Sequence, residues 1–355
     1  MENKKKIKVL IIDDSALVRD ILTKGLSADS GLEVVGAAPD VFAGRDMIVK
    51  FKPDVLTLDI EMPRMDGVEF LRRLMPQYPI PVVVVSSLTQ KGKTITIQAL
   101  EAGAVDFVPK PATDVARGLN DMMIELRTKI KIARSANVSH WKNKRFEKPR
   151  QIGSAGTKAL SESTDKVIAI GASTGGTEAI RRVITQLPPT TPGIVIVQHM
   201  PRGFTKTFAD RLNELSLMQV KEAEDGDRIM TGRVLIAPGD YHMKVERSGG
   251  YYIIRIVEGE KVNGHRPSVD VMMYSVAEHV ASNAYGVILT GMGGDGARGL
   301  RAMKDAGSYN IGQDEKTCVV YGMPKVAQDL GGVDRQLPID EIANALVRLN
   351  SKKVI

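Results

Sequence analysis

The sequence is poor in cysteine and aromatic residues and contains no long apolar run. Of its 355 residues one is cysteine, Cys318, so no internal disulfide can form, and zinc arrangements built on paired thiolates are excluded. That usage fits a reducing compartment, and a cytoplasmic location is expected. No apolar run approaches the ~20 residues that span a bilayer, so no membrane insertion is expected. The run Val9 to Ile12 ends at Asp13 and is too short for a signal peptide. Aromatic residues make up 5 %, with a single Trp.

What is present is the composition of a folded chain: 43 % hydrophobic and 26 % charged. At about 150 residues per domain, the length favours two domains. The formal charge of +7 suggests a nucleic-acid partner until its distribution is read. Between Arg127 and Lys158 lie ten Lys or Arg and one acid, Glu147, so that stretch carries +9 and the remainder sums to −2. The same stretch holds Ser-Ala-Asn-Val-Ser and Gly-Ser-Ala-Gly-Thr, the composition of a solvated tether. We place domains at 1–134 and 165–355, with a linker at 135–164. No aromatic interleaving or groove-reading helix accompanies the basic stretch, so no nucleic-acid partner is expected.

In the first domain, apolar runs at Lys8–Ile12, Val34–Ala37, Val55–Leu58, Val82–Val85 and Asp106–Val108 alternate with amphipathic segments. This pattern predicts a five-stranded parallel sheet of the flavodoxin-like, doubly wound kind. Asp13, Asp14, Asp59, Ser86 and Lys110 then fall beyond the carboxyl ends of strands, where such sheets bind ligands. Crowded carboxylates repel one another unless a cation sits among them, and an all-oxygen set suits Mg²⁺. Asp59 can then attack phosphorus, with Lys110 and Ser86 supplying charge and a hydrogen bond. Any one of these acids alone reads as a solvated cap; their convergence at strand ends argues for a site.

Residues 1 to about 130 resemble the receiver domains of bacterial response regulators. The matching motifs are Ile-Ile-Asp13-Asp14-Ser, Leu-Asp59-Ile-Glu61-Met-Pro63-Arg-Met-Asp66-Gly67, Val-Ser86-Ser and Phe107-Val-Pro-Lys110-Pro111. The resemblance implies that Asp59 is the phosphoacceptor. It also implies that Asp13, Asp14, Asp59 and the backbone carbonyl of Glu61 surround Mg²⁺, and that Ser86 and Phe107 form the switch.

The output lies after Lys166. A buried strand, Lys166–Ile170, leads into Gly171-Ala-Ser173-Thr-Gly175-Gly176 and a helical pattern. The G-x-S-x-G spacing permits the sharp strand-to-helix turn that exposes a nucleophilic serine, Ser173. A glycine-rich turn in which Ser173 merely caps the helix is the plainer alternative. A serine needs a base. His199 lies just beyond the strand Ile194–Val197, at the same sheet edge as Ser173; His265 is the rival, read with Arg266 as a rim contacting substrate. His140, His242 and His279 read as bland. Asp295 follows the strand Val287–Thr290 and can orient the imidazole. Thr174, next after the nucleophile, is a natural backbone oxyanion donor. Gly291, Gly293 and Gly296 also satisfy G-x-G-x-x-G, a dinucleotide fingerprint, but a carboxylate inside that loop would repel a pyrophosphate. The second domain is thus expected to be doubly wound and mainly parallel, with a β-hairpin at Tyr241–Val257.

The whole chain outside the linker resembles the chemotaxis protein-glutamate methylesterases. The motifs are Gly-Ala-Ser173-Thr-Gly-Gly, Val-Gln-His199-Met-Pro, Ile-Ala-Pro-Gly239, His265-Arg-Pro-Ser-Val-Asp270, Leu-Thr-Gly-Met292-Gly-Gly-Asp295-Gly and Tyr-Gly-Met-Pro324. The resemblance implies a Ser173, His199, Asp295 triad with the backbone N–H of Met292 in the oxyanion hole. It implies hydrolysis of glutamate γ-methyl esters on methyl-accepting chemotaxis receptors, deamidation of receptor glutamines, and phosphorylation by the histidine kinase CheA. No cofactor is expected for the esterase reaction. A receiver with a DNA-binding or dinucleotide-dependent output is the alternative.

Overall fold

Each predicted strand of the first domain forms between polar or glycine-containing turns; Val9–Ile12 and Val82–Val85 are continuous buried apolar runs, whereas the strand holding Val34 and Val35 is only partly buried. The computed structural model describes residues 5–111, 115–143 and 166–351. In the first unit the elements are β1 (Ile7–Ile12), α1 (Ala16–Ser27), β2 (Leu32–Ala38), α2 (Val41–Phe51), β3 (Val55–Asp59), α3 (Gly67–Gln77), β4 (Val82–Ser86), α4 (Gln90–Glu101), β5 (Asp106–Pro109) and α5 (Val115–Ala133). The sheet order is β2-β1-β3-β4-β5, parallel throughout, as the alternation predicts. Polar residues stop the strands and start the helices. Ser15, Asp40, Asp66 and Thr89 each cap a helix by accepting a bond from its first backbone N–H groups. Because β1 is flanked by β2 on one side and β3 on the other, a crevice opens beyond their carboxyl ends.

The expected start of the tether at 135 differs from the structure. Val138 and Trp141 are buried, and Asn143 N–H donates to the Pro76 carbonyl at 2.9 Å. A Cβ on Gly103 would stand 3.1 Å from the Trp141 ring, so this segment packs where only glycine leaves room. The first compact unit accordingly includes the described residues up to Asn143. Charge composition missed this because one Trp outweighs several exposed lysines in burial. Residues 144–164 of the expected linker lie outside the described residues.

The second unit contains β6 (Val167–Ala172), α6 (Gly176–Ile184), β7 (Gly193–Gln198), α7 (Phe204–Leu215), β8 (Gln219–Glu222), β9 (Arg233–Ile236), β10 (His242–Ser248), β11 (Tyr251–Val257), α8 (Val269–His279), β12 (Ala284–Ile288), α9 (Ala297–Asp305), β13 (Tyr309–Gln313), α10 (Met323–Asp329), β14 (Arg335–Leu337) and α11 (Ile339–Ser351). Seven strands pair in the order β14-β13-β12-β6-β7-β9-β8, all parallel. The expected hairpin, β10 with β11, forms a separate antiparallel ribbon. Its Met243, Val245 and Ile254 share a core with Met272, Met273 and Val276 of α8. Here β6 is the switch point: the chain winds outward through β7, then returns to place β12 on the other side. Loops after β6, β7 and β12 therefore meet at one crevice.

Candidate active site

Ser173 and His199 each stand immediately past a strand, while Asp295 lies further along the loop after β12, which ends at Ile288 and not at the expected Thr290. Ala172 and Gln198 are register partners on β6 and β7, so Ser173 and His199, the next residues of each, continue side by side. His199 N–H donates to the Ala172 carbonyl at 3.1 Å. On the other flank Ser173 N–H donates to the Thr290 carbonyl at 3.0 Å, and a Cβ on Gly291 would lie 2.7 Å from Ser173 Cβ. Glycines make this closeness possible. Gly175 adopts φ 76° at the start of α6, and a Cβ there would collide with Val319.

Asp295, 2 % exposed, is the most heavily bonded carboxylate of the site. Oδ2 accepts from His199 Nε2 at 2.8 Å and from Val269 N–H at 2.7 Å. Oδ1 accepts from Ser268 Oγ at 2.8 Å, Asn263 Nδ2 at 2.8 Å and, at 3.3 Å, Asp270 N–H. Two of these donors are backbone groups in the first turn of α8, and Ser268 is its cap, so the carboxylate sits on a helix N-terminus. Burial pushes its pKa up; the bond and charge of His199, with the bonds from Asn263 and Ser268, overcome that and hold it well below the usual carboxylate range. A close approach delivers α8 here: Cβ atoms on Gly171 or Gly296 would overlap Val269.

With Nε2–H given to Asp295, the neutral tautomer of His199 carries its lone pair on Nδ1. That atom is buried and has no hydrogen-bond partner among the described residues, so the Ser173 hydroxyl is not bonded to it in this state. A base with an open acceptor, next in register to a serine, can take a proton once substrate brings the hydroxyl into line. Thr174 is buried, and its carbonyl accepts from Thr290 Oγ1 at 3.0 Å, which fixes the loop after β6 against the loop after β12. Met292 is 49 % exposed at the tip of the latter loop, whose Gly291 carbonyl accepts from Met323 N–H at 2.8 Å.

Other expectations divide. His265 stacks on His199, ring centroids 3.7 Å apart and planes within 9°, and so contacts the base itself. Arg266 is half-buried and donates from Nη1 to the Gly259 carbonyl within its own loop. His242 is structural: Nδ1 accepts from Ser268 N–H and Nε2 donates to the Glu260 carbonyl. Asn263, Ser268, Gln198 and Thr290 were not singled out from sequence. Of these only Ser268 carried a clear signal, a serine just ahead of the helical pattern beginning at Val269.

In the first unit, carboxylate oxygens of Asp13, Asp14 and Asp59 lie within 4.8 Å of one another. Lys110 Nζ reaches Asp59 Oδ2 at 2.6 Å and Asp13 Oδ2 at 3.2 Å. Burial raises the Asp13 pKa; Lys110 opposes this and Asp59 reinforces it. Two buried acids, Asp13 and Asp59, with the exposed Asp14 beside them, offer the oxygen ligands that a divalent cation takes. Glu61 N–H donates to Asp59 Oδ1 at 3.0 Å, while its side chain turns to Ser87 Oγ. Ser86 Oγ is bonded to Thr96 Oγ1, and the buried Phe107 ring lies 5.2 Å from Lys129 Nζ.

The fold and site define a class: a doubly wound α/β hydrolase domain following a phosphoacceptor domain. The family model "CheB methylesterase" matches residues 168–346, and "Response regulator receiver domain" matches 9–117. The chain is 64 % identical over 351 residues to the protein-glutamate methylesterase/protein-glutamine glutaminase of Syntrophotalea carbinolica, covering 99 % of each. It is 51 % identical over 353 residues to the same-named protein of Sulfurimonas denitrificans, covering 98 % of this chain and 99 % of that one. The crystal structure of the Thermotoga maritima CheB methylesterase catalytic domain matches with 43 % identity and TM-score 0.51, covering 52 % of this chain and 98 % of that one. The chain therefore belongs to the CheB methylesterase family, with a response regulator receiver domain at its N-terminal side. The DNA-binding and dinucleotide-dependent outputs weighed from sequence are set aside: the glycines around Asp295 shape a loop whose carboxylate faces a histidine.

Proposed function

We propose that Ser173, His199 and Asp295 act together as nucleophile, base and orienting carboxylate. The protein is a receiver-linked protein-glutamate methylesterase and glutaminase. The observation that carries the triad is the 2.8 Å bond from His199 Nε2 to Asp295, which leaves Nδ1 open on the residue that continues the strand next to that of Ser173. Nδ1 takes the Ser173 proton as Oγ attacks the γ-ester carbonyl, and backbone N–H groups of Thr174 and Met292 hold the oxyanion. His199 returns the proton to departing methanol. Water, deprotonated by the same nitrogen, then hydrolyses the acyl-enzyme and leaves a glutamate. When the leaving group is ammonia, the same steps convert glutamine to glutamate. His265 and Arg266 stand on the loop beside this pair.

In the receiver, Asp59 is the phosphoacceptor. Asp13, Asp14, Asp59 and the Glu61 carbonyl would hold Mg²⁺, which when bound supplies charge neutralisation for an incoming phosphoryl group. Lys110 binds that group's negative charge, and Ser86, leaving Thr96, and Phe107 register it. The substrates are methyl-accepting chemotaxis receptors and the phosphodonor is the histidine kinase CheA, in the cytoplasm. The absence among the described residues of any helix long and apolar enough to cross a membrane accords with this. The test is methanol and ammonia release from methylated receptor membranes. Wild type releases both, Ser173→Ala releases neither, and sustained release by Ser173→Ala overturns the triad.

A further inference from the structure

One hydrogen bond does not fix a catalytic imidazole. His199 is tied to Asp295 through Nε2, and with Nδ1 unpartnered its ring is free to swing about that bond unless something holds its face. The restraint comes from a chain segment outside the loops that carry the triad.

Val262 and His265 exchange backbone bonds of 3.0 and 2.9 Å, and between them Asn263 and Gly264 adopt φ 52° and 82°. Two central residues at positive φ make the tight turn for which Asn-Gly is the favoured pair. A Cβ on Gly264 would meet nothing within 4 Å, so the glycine serves the backbone conformation and not packing. From the tip of this turn Asn263 Nδ2 donates to Asp295 Oδ1 and to Asp270 Oδ2, both at 2.8 Å. From the residue that closes the turn, the His265 ring lies flat on His199. The turn is itself anchored: the loop continues to Ser268, whose Oγ binds Asp295 and whose N–H binds the buried His242.

We propose that the Val262–His265 turn is a clamp on the His199–Asp295 pair, with Asn263 and His265 as positioning residues that aim Nδ1 at Ser173. The inference rests on the triad reading. It assigns His265 a role through its ring face, distinct from substrate contact at a rim and from proton transfer. An imidazole misdirected by a fraction of an ångström to an ångström loses rate in the chemical step, while substrate binding is unaffected.

The test measures methanol release by the full chain from methylated receptor membranes. His265→Ala lowers kcat about ten- to a hundredfold with KM changed by less than about twofold, and His265→Phe, which keeps a stacking ring, recovers to within about threefold of wild type. Asn263→Ala lowers kcat in the same sense. On ¹⁵N-histidine-labelled protein, the His199 Nε2–H resonance broadens or exchanges faster in His265→Ala and returns to its wild-type behaviour in His265→Phe. The phenylalanine variant carries the test where the alanine variant fails to fold. Unchanged kcat in His265→Ala, a rise in KM alone, or a His265→Phe as impaired as His265→Ala overturns the clamp. With Ser173→Ala inactive, these outcomes leave the triad standing; release by Ser173→Ala removes the triad and the clamp with it.

Discussion

Replacing Asp295 by Asn separates what its charge does from what its shape does. The amide oxygen can take the place of Oδ1, where Ser268, Asn263 and Asp270 donate, but its NH₂ then meets Val269 N–H and His199 Nε2. His199 answers by accepting from the amide, which moves its own proton to Nδ1, the atom that must be empty to serve as base. We expect kcat for methanol release to fall about 10³- to 10⁴-fold, or about 4 to 5 kcal/mol in the barrier. Val269 N–H, facing another donor, costs about 1 to 3 kcal/mol of stability, read from urea unfolding. Asp295 has a depressed pKa, so its contribution to wild-type stability is present above about pH 3.9 and is lost as pH falls further. The stability gap between the two proteins therefore narrows in acid. Asp270→Asn is the control: its carboxylate accepts from Gly299 N–H and Asn263 but does not touch His199, so stability falls and the rate stays within about tenfold. An Asp295→Asn rate above a tenth of wild type refutes the tautomer argument.

Burial, then Asp59 against the opposing pull of Lys110, raises the Asp13 pKa, so the metal-free receiver gains stability as pH falls from neutral through that titration. Asp13→Asn removes the buried charge and stabilises the metal-free receiver by about 1 kcal/mol at neutral pH, while abolishing phosphorylation; calorimetry and phosphate incorporation check the two halves. Chelation of divalent cations stops phosphoryl transfer to Asp59 and leaves basal methanol release unchanged, because the proposed serine chemistry runs on His199 and its bond to Asp295. Trp141→Ala vacates the site against Gly103 and lowers receiver stability by about 3 kcal/mol, seen as a downward shift of its melting transition.

Much of this molecule was legible as sequence because its strands are short apolar runs and its chemistry sits just after them. The runs ending at Asp13, Asp59 and Ser86 announced both the sheet and its acidic edge. Four strands escaped. Gln219–Glu222 offers one buried apolar residue, Tyr309–Gln313 mixes Asn, Gly and Gln, Arg335–Leu337 is three residues long, and Arg233–Ile236 follows a turn-rich stretch. These strands form because neighbours already in the sheet pair with them. Ser173 was legible from the G-x-S-x-G turn after an apolar run, and His199 and Asp295 from loops that follow two further runs. The donors around Asp295 did not, because α8 precedes it by some 26 residues and returns only through the packing of Val269 on Gly171 and Gly296. The stack of His265 on His199 was equally hidden: a turn sequence shows that the chain reverses, not what its flanking ring covers.

The most direct measurement is peptide mass mapping of protein quenched within milliseconds of mixing with methylated receptor. The account predicts a glutamyl ester on the peptide holding Ser173, absent from Ser173→Ala. A turnover-dependent adduct on any other residue, or rapid methanol release by the alanine variant, contradicts it.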